Sequence, residues 1–304
     1  MPPWFADPKC GHFSNERSLT ESEIYTLWSW TAEGAPKGDL EDMPAPMNFT
    51  EGWGIPKPDV VLQLPKPFPV PESGMVGCQY VIVPPGFTER HLGASGRGPA
   101  HRACRGSPHH CFVREPGSNY FKDQKPEVFF EAPPAKTDEK TDTSALPSDF
   151  LVGYAPGQPA EMLQPGQGKL IKPGSDIVFE VHYTPNGKAV MDQTKLGLVL
   201  ARETPKDRVQ TLSASNGTFK IPRAILSTAS MRRSKLPGRS CSRLCIPTCT
   251  PAAKISNIAW YFPTGRRARF CRCRPTTGTG SSGTTCRNLI VLPKGTKIEC
   301  YGTF

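Results

Sequence analysis

Residues 175–185, SDIVFEVHYTP, constrain the fold more than any other stretch of this chain. Ile177, Phe179, Val181 and Tyr183 alternate onto one side of an extended backbone, and Val178, Glu180 and His182 take the other. This period of two predicts a strand with an apolar face. The other hydrophobic runs are short and end in turn residues, as in DVVLQLPKPFPVP and CQYVIVPPG. Proline (34) and glycine (28) supply the punctuation. TKLGLVLARETP reads as a further strand, and LIVLPKGTKIEC as strand, turn and strand. Short, turn-bounded strands point to an all-β chain with long loops. At 304 residues the chain is long enough for two domains, each with a core. No run approaches the ~20 apolar residues of a membrane helix. The opening MPPWFADPKC has neither a basic start nor an apolar core, so no secretory signal is expected and Met1 need not be the natural start.

The expected organisation is a helical segment over residues 1–46, a β domain over 52–205 and a second over 206–304. In SLTESEIYTLWSWTAEGAPKGD, Thr20 and Glu23 form a capping pair, and Ile24, Leu27 and Trp28 recur at helical spacing. Gly34 sits where a C-cap belongs. One helix over about 21–33 is predicted, docked on whatever follows. Residues 52–89 read as short strands. Residues 116–147 are polar and proline-rich and read as a surface loop.

The net charge of +10 is unevenly placed. Residues 90–112 and 224–288 hold 16 of the 37 Lys+Arg and none of the 27 Asp+Glu, so the rest of the chain is acidic. The same two blocks hold eight of the eleven cysteines. Three readings compete for them. Cys241, Cys245 and Cys249 could bind metal or form disulfides, although their spacing is neither a CxxC pair nor a zinc-finger pattern. The arginines could bind nucleic acid, but RRARFCRCRP carries a single aromatic, and basic runs are usually solvated. The third reading is that the blocks are out-of-register translations.

The stretch DFLVGYAPG, followed by LIKPGSDIVFEVHYTPNGK, resembles the bacterial relatives of copper type II, ascorbate-dependent monooxygenases, the family of peptidylglycine α-hydroxylating monooxygenase and dopamine β-monooxygenase. The resemblance covers most of the chain outside the two blocks. It implies two jelly-roll-like β-sandwich domains, each supplying one copper site. The first site takes a His-His pair and a later histidine in an HY strand, and the second takes a His-x-His and a later methionine. The carry-over at the HY strand is His182. MPPW and the helix after it resemble the tail of a c-type cytochrome domain, where such a methionine can be the axial haem ligand. Met1 holds that place, but the chain has no CxxCH motif, so haem c is expected only in a missing upstream portion.

The resemblance also bears on the two blocks. CIPTCTPAAKISNIAWYFPTG, residues 245–265, can be encoded by a string whose third-base frame reads HPHMHTRGKDFEYRMVFPDG, with a family-like His-Met-His motif ahead of a strand–turn–strand. The same frame over 270–288 permits an alternating aromatic strand that joins onto LIVLPKG. Block one, in the other shifted frame, permits TWVQAAEVRPTEPAVVHHITAF, with a His-His pair. Frameshifts over about 90–112 and 224–288 are therefore expected, with truncation after ECYGTF, before the expected methionine ligand. His109 and His110 lie about a residue out of place relative to the shifted pair, and a one-residue slip sends a strand side chain to the opposite face. Their bland reading is a loop, and that of His182 a partly exposed strand histidine. Cys245 to Cys249 stand where the His-Met-His would be, so the second site is expected to be absent.

The expected fold is all-β: two jelly-roll-like sandwiches, the second incomplete and poorly packed, after a short helical segment. The expected function is copper-dependent hydroxylation of an activated C–H bond, using O2 and an electron donor, ascorbate or haem. Little or no activity is expected in this copy. Candidate metal ligands are His182, His109 and His110. Substrate, small molecule or peptide, is not readable. Neither nucleic acid nor membrane is an expected partner, and a periplasmic or extracellular location follows from the family. The alternative is a non-catalytic β-sandwich whose basic Cys-rich insert binds metal or nucleic acid. A glycan amidase on a related double sandwich would need convergent carboxylates, and none can be placed.

Overall fold

The computed structural model describes residues 13–14, 19–45, 53–89, 91–95, 109–132, 147, 149–154, 160–211, 229–235, 240–245, 255–273 and 284–303. The chain is mostly strand, with a single helix among the described residues, and its sheets are open. It forms two compact units, Phe49–Leu212, and Met1–Asn48 together with Ser213–Phe304.

The unit Phe49–Leu212 contains β1 (Val60–Gln63), β2 (Phe68–Val70), β3 (Gln79–Val83), β4 (His91–Ser95), β5 (His109–Arg114), β6 (Phe130–Glu131), β7 (Asp149–Tyr154), β8 (Gln167–Ile171), β9 (Asp176–Val181), β10 (Val190–Asp192), β11 (Lys195–Leu200) and β12 (Asp207–Arg208). One sheet runs β6-β3-β9-β5-β7, all antiparallel. The other runs β1-β11-β4-β8-β12, and β2 and β10 form a separate antiparallel pair. Ile177, Phe179, Val181 and Tyr183 enter the core as their alternation predicts, beside Val81, Cys111, Val113 and Leu151 from neighbouring strands. Leu62, Leu196, Leu198 and Ile171 of the second sheet close the same core, which makes the unit a sandwich. Phe68 stacks on Tyr183, ring centroids 4.6 Å apart.

Three buried or half-buried polar side chains of this unit show how partners offset desolvation, which an unpaired group would bear in full. Asp192 accepts hydrogen bonds from the hydroxyls of Tyr183 (3.0 Å) and Thr194 (2.7 Å). Lys169 is 1% exposed, and its Nζ donates to Leu151 O (2.6 Å) and to both Glu161 oxygens (3.0 Å each). Arg114 bridges Asp176 Oδ2 and Phe121 O.

The bland expectation that His109 and His110 sit in a loop is corrected. They open β5, which pairs with both β7 and β9. Ladder hydrogen bonds use backbone groups that any extended segment offers. Here HHCFVR also alternates buried and half-buried, with Cys111 and Val113 in the core.

The other unit contains α1 (Glu21–Ala32), β13 (Ala229–Lys235), β14 (Ser240–Cys245), β15 (Ile255–Tyr261), β16 (Arg267–Cys273), β17 (Thr284–Leu292) and β18 (Lys297–Thr303). The helix is where its cap predicts. Thr20 Oγ1 accepts from Glu23 N, and Glu23 Oε2 accepts from Thr20 N (2.7 Å), a capping box. Gly34 follows the C-cap at φ +86°, a left-handed turn that glycine adopts without strain. The docking expectation is corrected: no residue of α1 is buried, and Ile24, Leu27 and Trp28 are all exposed. The sheets run β13-β18-β15-β16 and β14-β17. Thus most of the described residues of block 224–288 pair as strands. The described buried apolar residues of this unit are Phe13, Ile258, Ala259, Trp260 and Leu292. Ile258, Ala259 and Trp260 are consecutive, and the pairing with β16 shifts register between Ile258 and Ala259. A bulge of this kind lets neighbouring residues share a face. Buried Glu299 accepts a hydrogen bond from Tyr261 Oη (2.9 Å), and Arg267 lies 3.7 Å away. Among the described residues, no helix is long and apolar enough to cross a membrane.

Candidate metal centre

Strand β9 lies between β3 and β5, and its outer face carries the candidate site. The registers place Tyr80 and His110 on either side of Glu180. Cys78 precedes β3 and His182 follows β9, so these two also come together at that end of the sheet. His182 Nε2 lies 3.0 Å from Glu180 Oε1 and 3.7 Å from Cys78 Sγ. His110 Nδ1 lies 3.6 Å from the same Glu180 oxygen. The rings of His110 and His182 have centroids 6.2 Å apart. Cys78, Glu180 and His182 each offer a ligand atom, all within 4.8 Å of one another. This is the one such group of three among the described residues.

Glycine makes room for His110. On β7, Gly153 pairs with His110, and a Cβ at that position would meet Phe150 Cζ at 2.6 Å and His110 Cδ2 at 3.1 Å. Phe150 and Phe112 flank the imidazole, with ring centroids at 5.5 and 6.2 Å. Farther along this face, Ile82, Val178 and Tyr120 form a small cluster with Tyr80, Phe112, Phe121 and Phe130 packed on it. The site therefore has an apolar aromatic flank, while His110 and His182 are about 40% exposed, their side chains at 39% and 43%.

The electrostatics follow from this packing. Burial pushes the Glu180 carboxyl up, but hydrogen bonds with His110 and His182 and their positive charges outweigh it and hold it at about 2. His182 is pushed up to about 10, first by the hydrogen bond with Cys78 and then by that with Glu180, against the opposing effect of burial. Tyr80 and Tyr120 are raised, chiefly by burial and then by the Glu180 charge. The cluster thus favours a positive charge at Nε2 of His182, between a sulfur and a carboxylate.

Of the histidines singled out in the sequence, the structure brings His110 and His182 together. His109 points the other way: it is 5% exposed, pairs with core residue Val181, and has its ring 5.1 Å from that of Tyr154. Met1 and Cys249 lie outside the described residues, and Cys241 and Cys245 lie on β14. Sequence reasoning placed Glu180 beside His182 but gave it no role, and it passed over Cys78. Both share a face with His182 once β3 and β9 are paired, and that pairing was the missing signal.

No protein-family model and no curated protein matches this chain. The site must therefore be judged on its own donors. Two imidazoles, a carboxylate and a thiol suit a borderline or soft transition metal and would be a poor choice for magnesium or calcium.

Proposed function

We propose that this chain descends from the copper type II monooxygenases and that its remaining capacity is copper binding on the outer face of its first sandwich. The observation that carries the reading is that His110, on β5, and His182, just after β9, project onto one face and approach the same Glu180 oxygen. Copper, when bound, supplies one-electron redox chemistry and a place for oxygen. His110 and His182 would hold it, and Glu180 would keep both rings turned toward the site. Their partial exposure leaves an approach for a donor or substrate. The aromatic flank of Phe112 and Phe150 shields one side from water.

Hydroxylation of a C–H bond needs a second copper site in the parent family, and the residues that would build it are replaced here by Cys245 and Cys249. The reading therefore expects binding with little or no turnover. Copper stoichiometry on the purified chain tests it. One equivalent is expected, with affinity falling about 10–100-fold or more in His182→Ala. Copper retained unchanged in that variant would sink the ligand assignment, and copper-stimulated oxygen consumption with a C–H substrate would overturn the expected inactivity. The reading-frame origin of residues 90–112 and 224–288 has its own test in the source DNA. An unbroken frame in independent reads would count against it.

A further inference from the structure

Cys78 has no place in an all-imidazole copper site, yet its sulfur is one of the three atoms that converge beside β9. We propose that Cys78 Sγ, His182 Nε2 and a Glu180 oxygen form a thiolate-containing site for a zinc-class divalent ion. The inference uses side chains shared with the copper reading but does not depend on that descent.

The distances support it. Zinc takes sulfur at about 2.3 Å and imidazole nitrogen at about 2.0–2.1 Å, and tetrahedral geometry then separates the two donors by roughly 3.6 Å. Sγ and Nε2 are 3.7 Å apart. The corresponding nitrogen–oxygen separation is roughly 3.3 Å, and the present 3.0 Å contact would open by only a few tenths of an ångström. Cys78 is a free thiol of intermediate burial, so an ion can reach it. Glu180 supplies negative charge, and His110 Nδ1, 3.6 Å from its Oε1, offers a fourth donor alongside water.

A nucleophilic thiol with a histidine base would use the same residue types in a different way. In that arrangement the base contacts the nucleophile through one ring nitrogen and its orienting carboxylate through the other. Here Cys78 and Glu180 both approach Nε2 of His182. Convergence of a sulfur, a nitrogen and an oxygen on one small volume is what an ion requires and what a proton relay lacks.

Cobalt(II) is the probe, since it takes zinc sites and reports a thiolate ligand by a sulfur-to-metal charge-transfer band in the near ultraviolet. The full chain should show that band, bleached by added Zn2+, and the band should be reduced by one thiolate's share in both Cys78→Ser and His182→Ala. Any contribution from the cysteines of block 224–288 persists in both variants and cancels in the difference. The cobalt Kd of the site should rise by at least about 10–100-fold in Cys78→Ser, since losing a ligand costs no less than losing a ligand's hydrogen-bond partner. A band unchanged in Cys78→Ser, or no band at all, overturns the proposal. Copper(II) titrations of the same proteins separate the two readings. Nitrogen hyperfine structure that survives in Cys78→Ser, with no Cys78-dependent cobalt band, leaves the copper reading standing and removes this one. A Cys78-dependent cobalt band without His182-dependent copper binding does the reverse.

Discussion

The close approach at Gly153 gives a prediction whose size can be worked out. An alanine Cβ there would lie 2.6 Å from Phe150 Cζ and 3.1 Å from His110 Cδ2. Ordinary carbon contacts begin near ~3.5 Å, so the phenyl ring would have to retreat by about 0.9 Å. It has little freedom to do so. His110 and Phe112 each sit 5.5 Å from its centroid, and Lys169 Nζ, itself fixed by Glu161, lies 5.7 Å away. Overpacking of this kind costs about 1–3 kcal/mol.

Gly153→Ala also removes backbone freedom from the unfolded chain, a gain of about 0.4–1 kcal/mol that masks part of the cost. Gly54→Ala is the matching control. Its Cβ would meet only Ala160 Cβ at an ordinary 3.7 Å, so it keeps the unfolded-state gain without the clash. The difference between the two variants should therefore be about 1–3 kcal/mol, with Gly153→Ala the less stable. For a unit of roughly 160 residues this separates their Tm values by about 2–4 °C per kcal/mol. Thermal unfolding by circular dichroism measures the gap, and metal titration should show weakened binding in Gly153→Ala alone, because His110 is pushed aside. Equal Tm values and equal metal affinity would refute the claim that Gly153 is glycine to seat His110 and Phe150.

Other expectations follow from the paired charges. Arg114→Met leaves Asp176 and Phe121 O without their donor and should cost about 2–3 kcal/mol in urea unfolding, with Arg114→Lys recovering only part; a loss below about 0.5 kcal/mol would show that water replaces the bridge. Asp149 is raised, chiefly by burial, against a hydrogen bond from Thr211 N and the charge of Lys169. A carboxyl that binds its proton more tightly when folded favours the fold below its unfolded value of about 3.9, and that contribution is lost as pH rises through the raised folded value. Wild type should therefore lose stability relative to Asp149→Asn as pH rises from about 4 towards neutrality. A pH-independent difference would contradict the shift.

Much of the first sandwich was legible because its signals are local. The alternation at Ile177, Phe179, Val181 and Tyr183 names its inward face without any partner strand. Thr20, Glu23 and Gly34 likewise mark α1 within a few residues of chain. The site was less legible because it is made by pairing. Cys78 and His182 are 104 residues apart, and only the β3–β9 register brings them together. The pairing in block 224–288 was also hidden. Its composition lacks a clean alternation, and what the structure shows there is backbone ladders with a bulge at Ile258 and Ala259. The exposure of α1 was missed for a related reason: spacing names an apolar stripe but not what covers it.

The choice between His109 and His110 follows from the core. In β5, Cys111 and Val113 are fully buried, and strand parity then sends His109 inward and His110 outward. A slip of one residue would put His109 beside Glu180 and expel Val113, and exposing one such side chain costs about 1.5–3 kcal/mol. A half-exposed imidazole–carboxylate contact at 3.6 Å is worth at most about 1 kcal/mol. The core therefore sets the register, and the site receives whichever histidine parity leaves outside. His110→Ala should weaken metal binding with little effect on stability. His109→Ala should lower the Tm and leave metal affinity within about twofold, since its side chain lies on the far face of the sheet. Metal loss in His109→Ala with an unchanged Tm would mean that the register of β5 is set by the metal and not by Cys111 and Val113.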